Sequence, residues 1–228
     1  MTGIICAMSV EIEILREKMK NKSVKTISGI EFIEGDLSGK KAVITRGGMG
    51  KVAAGVCAQT MIREFNVEKL INTGVAGTLT DKLSRGDIAV SESVVQHDVD
   101  TSAVGDPVGM VSGINKIYFP ADKDMADKAI ESIKEEKLEY LRGIIASGDQ
   151  FIANENEKKR IVDNFSAIAC EMEGGAIGQV AYINNVPFVV LRAISDGADD
   201  DVKLDYPAFV AVAAKNSARV TIRLIEKL

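Results

Sequence analysis

Val186-Pro187-Phe188-Val189-Val190-Leu191-Arg192-Ala193-Ile194-Ser195-Asp196 is the stretch whose reading decides the fold. Behind the turn signal Asn184-Asn185, a run of β-branched and aromatic residues reads as a strand from Val186 to Ile194, buried on both faces. Such strands belong to open α/β sheets, and ligands bind those sheets outside the carboxyl ends of the strands. Asp196 stands at that end. A carboxylate at the rim of an apolar sheet is poorly hydrated, so its pKa rises and it can hold a proton near neutrality. That makes Asp196 a candidate general acid. Ser and Asp are equally favoured as helix N-caps, and the segment alone leaves the two readings even.

Outward from this strand, apolar runs alternate with helical periods. Gly3 to Met8 reads as a strand, and Ser9 can cap a helix that puts Ile14, Leu15 and Met19 on one face. Val24 to Ile27 and Glu31 to Leu37 form a hairpin about Ser28-Gly29. Lys41 to Thr45, Lys69 to Thr73, Asp87 to Val95, Leu141 to Ala146 and Ala167 to Cys170 read as strands. Helices are expected from Lys51 to Phe65, Asp122 to Lys137, Glu155 to Asn164, Glu171 to Ile183 and Tyr206 to Lys227. Between His97 and Phe119 neither period holds, and loops this long are usually functional or interface-forming. The alternation predicts an α/β fold with a mixed central sheet flanked by helices.

The chain has 228 residues, 46% of them hydrophobic, enough for a sizeable core and read as one domain over 1–228. A net charge of -5 argues against nucleic acid as a partner, because phosphate binding needs a basic face. The N-terminus lacks the basic region of a signal peptide, and no apolar stretch is long enough to span a bilayer. Cys6, Cys57 and Cys170 are scattered through apolar segments and read as buried reduced thiols, which points to the cytoplasm. One histidine and no cysteine pair make a metal site improbable. His97-Asp98 reads as a surface loop pair.

Four further segments invite chemistry. Arg46-Gly47-Gly48-Met49-Gly50-Lys51-Val52 fails the P-loop pattern and reads as a tight strand-to-helix turn whose N–H groups remain available to a ligand. Asn72-Thr73-Gly74-Val75-Ala76-Gly77 reads as a strand-end loop where glycine lets backbone approach a flat ligand, or simply as a turn. Glu171-Met172-Glu173 lies at a strand-to-helix junction. One of its carboxylates could accept bidentate hydrogen bonds from sugar hydroxyls, or both could answer the helix dipole. Glu11 carries the same ambiguity. What favours function is convergence: Glu11, Ala76-Gly77, Phe151-Ile152, Met172-Glu173 and Asp196 all sit at expected carboxyl ends of strands.

Gly3-Ile4-Ile5-Cys6-Ala7-Met8-Ser9-Val10-Glu11, Gly50-Lys51-Val52-Ala53-Ala54, Ile71 to Gly77, Ser147-Gly148-Asp149-Gln150-Phe151-Ile152, Glu171-Met172-Glu173 and Val186 to Asp196 together resemble the nucleoside phosphorylase/nucleosidase superfamily. Within it the chain is most similar to bacterial 5′-methylthioadenosine/S-adenosylhomocysteine nucleosidases, over essentially its whole length. The resemblance implies a phosphorylase-like three-layer sandwich, a homodimer, a nucleoside as small-molecule substrate and no cofactor. It implies Asp196 as the acid at adenine N7 and Glu11 as the base for water. Glu173 would hold the ribose hydroxyls, with Met172 packed on the sugar or base, and Met8 would belong to the same substrate site. Arg192 would hold the water and carboxylates, and Ser195 would orient Asp196. Phe151 would stack on adenine beside the backbone of Ile152, Ala76-Gly77 would line the base pocket, and Tyr206 would close over it. Met49 and Val104 would come from the partner subunit to a 5′-alkylthio pocket.

Physical chemistry agrees with those roles. Adenine leaves poorly as an anion, so an acid at N7 lowers the barrier. The sugar becomes cation-like, which buried carboxylates stabilise. Phosphorylases of this superfamily supply Arg and Ser to phosphate where this chain has Asn72 and Val75, so the resemblance favours water over phosphate. A futalosine-type nucleosidase, a purine nucleoside phosphorylase and a non-catalytic nucleoside-binding protein are the alternatives. Val75 and Val104 depart from the usual serine and aromatic of the nucleosidases, which leaves the 5′ group the least defined part.

Overall fold

The computed structural model describes residues 1–196 and 202–228, with backbone alone for 196 and 202–208. The carboxylate of Asp196 and the ring of Tyr206 therefore lie outside the described side chains.

The deciding stretch forms β10 (Phe188–Asp196), which starts two residues later than its apolar run and ends at Asp196. Its side chains alternate between two cores, Val189, Leu191 and Ala193 in one and Phe188, Val190 and Ile194 in the other. A strand covered on both faces has no polar face to show, which is why its sequence is a continuous apolar run. On one side β10 runs parallel to β5 (Lys69–Thr78), from Phe188 opposite Leu70 to Asp196 opposite Gly77. On its other side it runs antiparallel to β6 (Ile88–Gln96). β6 continues in parallel to β8 (Tyr140–Ser147) and β8 to β9 (Ala167–Glu171). β9 then returns antiparallel to the end of β5. Five strands thus close on themselves.

From β5 the sheet extends outward through β1 (Thr2–Cys6), β4 (Lys40–Arg46), β3 (Ile30–Leu37) and β2 (Lys20–Ile27), while the short β7 (Phe119–Pro120) adds to β6. Helices α1 (Ser9–Lys18), α3 (Lys123–Glu135) and α6 (Val202–Lys227) pack on one face, and α2 (Lys51–Glu64) and α5 (Gly174–Asn184) on the other. Helix α4 (Glu155–Phe165) covers β8 and β9, where Ile161 and Phe165 join a third apolar cluster with Val95, Ala146 and Cys170. This is the mixed central sheet between helical layers that the alternation predicts.

Three expectations need correction. Asn72 to Gly77 is not a loop: β5 continues through both glycines to Thr78, because β10 pairs with it all the way to Gly77. Ser9 does not cap α1; the cap residue is Met8, and the Glu11 carboxylate takes the free N–H groups of Ala7 and Met8, each at 2.8 Å. His97 is buried rather than on a surface loop, with neither ring nitrogen hydrogen-bonded.

Where β5 nears its functional end, α6 is fastened to it by hydroxyls. Thr73 Oγ1 lies 2.6 Å from Ser217 Oγ and 2.8 Å from Thr221 Oγ1, and Gly74 N–H donates to Ser217 Oγ at 3.1 Å. All of these groups are buried. Ser217→Ala removes the acceptor of the Gly74 amide and is expected to cost about 1–3 kcal/mol in urea unfolding, the desolvation penalty of an orphaned buried donor.

Candidate active site

The site lies at a gap in the sheet. Along one side of β5, β1 covers Lys69 to Asn72 and β9 covers only Gly77 and Thr78. The carboxyl ends of β1 and β9 therefore approach one another across the residues between, where this side of β5 has no strand partner. Two side chains take the missing strand's place. Glu11 Oε1 accepts the Val75 N–H at 3.1 Å, and Arg192 Nη1 donates to the Val75 carbonyl at 3.2 Å. Gly74 is required for this. A Cβ built there would stand 2.5 Å from Glu11 Oε1 and 2.7 Å from Arg192 Nη1.

Arg192 is the largest fully buried side chain among the described residues. Its Nη2 pairs with Glu171, with Glu173 Oε2 at 3.2 Å and with Asn72 Oδ1 at 2.5 Å. The two glutamates separate into different tasks. Glu171 is saturated: it also accepts the Ser147 hydroxyl and the N–H groups of Glu173 and Gly174. Among the described residues Glu173 accepts just one further hydrogen bond, from the Gly50 N–H to Oε1 at 2.9 Å. Burial raises the Glu173 pKa to about 7, with Arg192 and the Gly50 amide opposing and the charges of Glu171 and Glu11 adding to the rise. Burial likewise raises Glu11 above the usual carboxylate range, although Arg192 and three backbone amides oppose it. Burial alone would lower the Arg192 pKa, but the surrounding carboxylates hold it above its ordinary value.

These groups form the floor of a cleft of about 590 Å³, counted out to open solvent. Met8, Glu11, Ala76, Gly77, Phe151, Ile152, Met172, Glu173, Arg192 and Ser195 all line it, so the structure brings ten sequence-predicted residues together. Ser195 Oγ lies 3.4 Å from the Ala76 carbonyl. Asp196 follows at the end of β10, opposite Gly77, with its carboxylate undescribed. Met49 lines the cleft of its own chain, where the sequence assigned it to the partner; it starts the turn into α2 and is 68% exposed. Val104 is 82% exposed in a 3-10 turn (Ser102–Val104) and is not part of this chain's cleft. Among the described residues no group of three or more His, Cys, Asp or Glu is placed to hold a metal ion.

Two contributions escaped the sequence. Asn72 reads as part of a glycine turn, yet it is buried and bridges the Ile5 carbonyl and Arg192. The Gly47-Gly48-Met49-Gly50 turn reads as offering free N–H groups to a ligand. Instead Gly50 donates to Glu173 and Lys51 to Asp149. A polar residue inside an otherwise apolar strand is the signal for the first; nothing local signals the second.

The family model described as the Phosphorylase superfamily matches residues 2–226. A 5′-methylthioadenosine/S-adenosylhomocysteine nucleosidase of Shewanella pealeana is 41% identical, over 99% of each chain. A crystal structure of the enzyme of that name from Neisseria meningitidis, in complex with methylthio-immucillin-A, superposes with a TM-score of 0.95 at 35% identity, covering 100% of this chain and 99% of the other. Futalosine hydrolase of Helicobacter pylori superposes with a TM-score of 0.94 at 33% identity, covering 100% and 97%.

Arg192→Met keeps the apolar stem and removes the cation. Three buried carboxylates are then uncompensated, an expected loss of about 3–5 kcal/mol at neutral pH. The folded variant relieves this by keeping protons that the unfolded chain releases near 4.5. Folded then binds more protons than unfolded, so stability falls as pH rises. Urea unfolding between about pH 5 and pH 8 should show the deficit growing with pH relative to the parent protein. A deficit that does not change with pH would mean that charge is not its cause.

Proposed function

The chain belongs to the Phosphorylase superfamily, and on that footing we propose that it hydrolyses the N-glycosidic bond of 5′-methylthioadenosine and S-adenosylhomocysteine, and of 5′-deoxyadenosine, to adenine and the 5′-substituted ribose. The observation that carries this reading is the charge balance of the cleft. Among the described residues that line it Arg192 alone is cationic, and it is already committed to Glu171, Glu173 and Asn72. Phosphate as nucleophile needs a cation of its own and would meet the Glu11 carboxylate. Water needs a base, which Glu11 supplies.

In this reading Glu173 holds the ribose hydroxyls and the adenine lies between Phe151-Ile152 and Ala76-Gly77. Asp196 gives its proton to N7 as the C1′–N9 bond breaks, so the electron pair of that bond leaves on a neutral base. Glu11 takes a proton from water, whose oxygen bonds to C1′ from the opposite side. The pair works in opposite protonation states, as in an inverting glycosidase. Between the two steps C1′ is cation-like, and the carboxylates on the cleft floor stabilise it. No cofactor takes part.

We further propose a cytoplasmic homodimer. No described helix is long and apolar enough to cross a membrane, and the three cysteines are buried and form no disulfide with one another. Met49 and Phe151 line the cleft and are exposed, Val52 close by in sequence is exposed as well, and a second copy would cover them. Val104 of that second copy is the candidate wall for the 5′ group. A futalosine-type substrate is the second reading, because the hydrolase of that name shares the fold at 33% identity.

Adenine release from methylthioadenosine in phosphate-free buffer tests the reaction. Turnover is expected without phosphate and is expected to fall roughly 10²- to 10⁴-fold in Asp196→Asn and in Glu11→Gln. Strict dependence on phosphate would refute hydrolysis, and faster turnover of futalosine on the same preparation would move the assignment to the second reading. Glu11 must be ionised to accept a proton, so kcat/KM is expected to fall as pH drops through its raised pKa. That acidic limb should therefore lie above the ordinary carboxylate range; a limb within it would mean that another group acts as base. Light scattering should give the mass of a dimer, and a fully active monomer would contradict the shared pocket.

A further inference from the structure

Behind the cleft wall, three segments that are distant in sequence meet in a closed ring of polar contacts. Lys51 Nζ lies 2.5 Å from Asp98 Oδ1, with side chains 16% and 18% exposed. Asp98 Oδ2 accepts the Asp149 N–H at 2.9 Å, and Asp149 Oδ1 accepts the Lys51 N–H at 2.7 Å. The ring joins the start of α2, the end of β6 and the loop after β8. None of its three members lines the cleft.

One residue before Lys51, the Gly50 N–H points the other way and donates to Glu173 Oε1. Gly50 has φ 101°, a conformation that other residues rarely adopt, and a Cβ there would stand 3.0 Å from Asp149 Oδ1. The helix start is therefore shaped to face two carboxylates at once, Glu173 on the cleft side and Asp149 on the ring side. Burial pushes the Asp98 pKa up, but the Lys51 ammonium and the Asp149 amide outweigh it and hold the group below its ordinary value. Beside it, the buried His97 ring fills the space that a side chain at 148 would need, which fixes the loop carrying Asp149.

We propose that the Lys51–Asp98 ion pair is a positioning device for Glu173: it anchors the start of α2 so that the Gly50 N–H fixes the carboxylate that holds the ribose. A partly buried pair suits this task, because it is screened less than a surface pair and its geometry is closed by backbone N–H groups on both sides. With the anchor gone, the α2 start can withdraw by a fraction of an ångström, and Glu173 would then be held by Arg192 alone among the contacts described above. The inference rests on the reading of Glu173 as the ribose ligand.

Lys51→Met, Lys51→Arg and Asp98→Asn test it, each assayed on 5′-methylthioadenosine and on its 2′,3′-dideoxy analogue. Lys51→Met and Asp98→Asn are expected to lose roughly 10- to 100-fold in kcat/KM on the parent nucleoside. On the analogue, which gives Glu173 nothing to hold, the loss should shrink to about threefold or less. Lys51→Arg, which keeps the charge, should recover most of the parent rate. Equal losses on both nucleosides would reduce the pair to general scaffolding and overturn the proposal, as would no loss in a folded Lys51→Met or Asp98→Asn. Wild-type turnover checks the underlying reading separately. If the wild type releases no adenine, the same ratio taken on calorimetric dissociation constants of the two nucleosides decides the positioning claim.

Discussion

A guanidinium buried among three carboxylates, in the place of a missing strand, is the interaction on which this protein depends. Removing a charged arginine from water is costly, and Arg192 is tolerated because Glu171, Glu173, Asn72 and the Val75 carbonyl surround it. Those partners come from β9, the start of α5 and β5. The guanidinium therefore ties β9 and the start of α5 to the part of β5, Asn72 to Val75, that the ladder between β5 and β9 does not reach. Stability of the sheet and shape of the cleft floor are set by one group, and neither can be altered independently of the other.

The same arrangement explains how identical side chains acquire different chemistry. Glu171 accepts from a hydroxyl and two amides as well as from arginine, and is spent on structure. Glu173 keeps oxygen capacity toward the cleft and is pushed up to about 7. Glu11 is gripped by three amides, from Ala7, Met8 and Val75, yet burial still raises its pKa. A fixed carboxylate with raised basicity has its hydrogen-bond geometry set before substrate arrives, so little reorganisation remains for the reaction itself.

Much of this was legible in the sequence, and for a physical reason. Strands buried on both faces and amphipathic helices write their environment into composition, so β10 and the order of elements could be read directly. Residues that converge at strand ends could be collected by one rule about sheet topology. What could not be read were departures from local rules. Gly74 looked like a turn residue because glycine's commonest use is conformational; here it is a strand residue kept bare so that two charged side chains can pass it and reach the backbone of Val75. Glu11 looked like a helix-start acid, and it does cap α1, but it also pairs with β5, a contact invisible from its neighbours. His97-Asp98 looked exposed because a histidine beside an aspartate is common on loops; burial came from Gly148 and Lys51, each about fifty residues away.

Closure of five strands on one another has a consequence beyond the cleft. Strands that pair on both sides offer no free backbone to a stranger, so β5, β6, β8, β9 and β10 are protected from edge-to-edge joining. The far end of the sheet is not: among the described residues β2 pairs only with β3, and nearly all of its residues are exposed. That strand carries Lys20, Lys22 and Lys25, and a row of ammonium groups on an open edge repels a second copy laid against it. Aggregation resistance is thus divided unevenly, built into topology where the chemistry is done and left to surface charge at the rim.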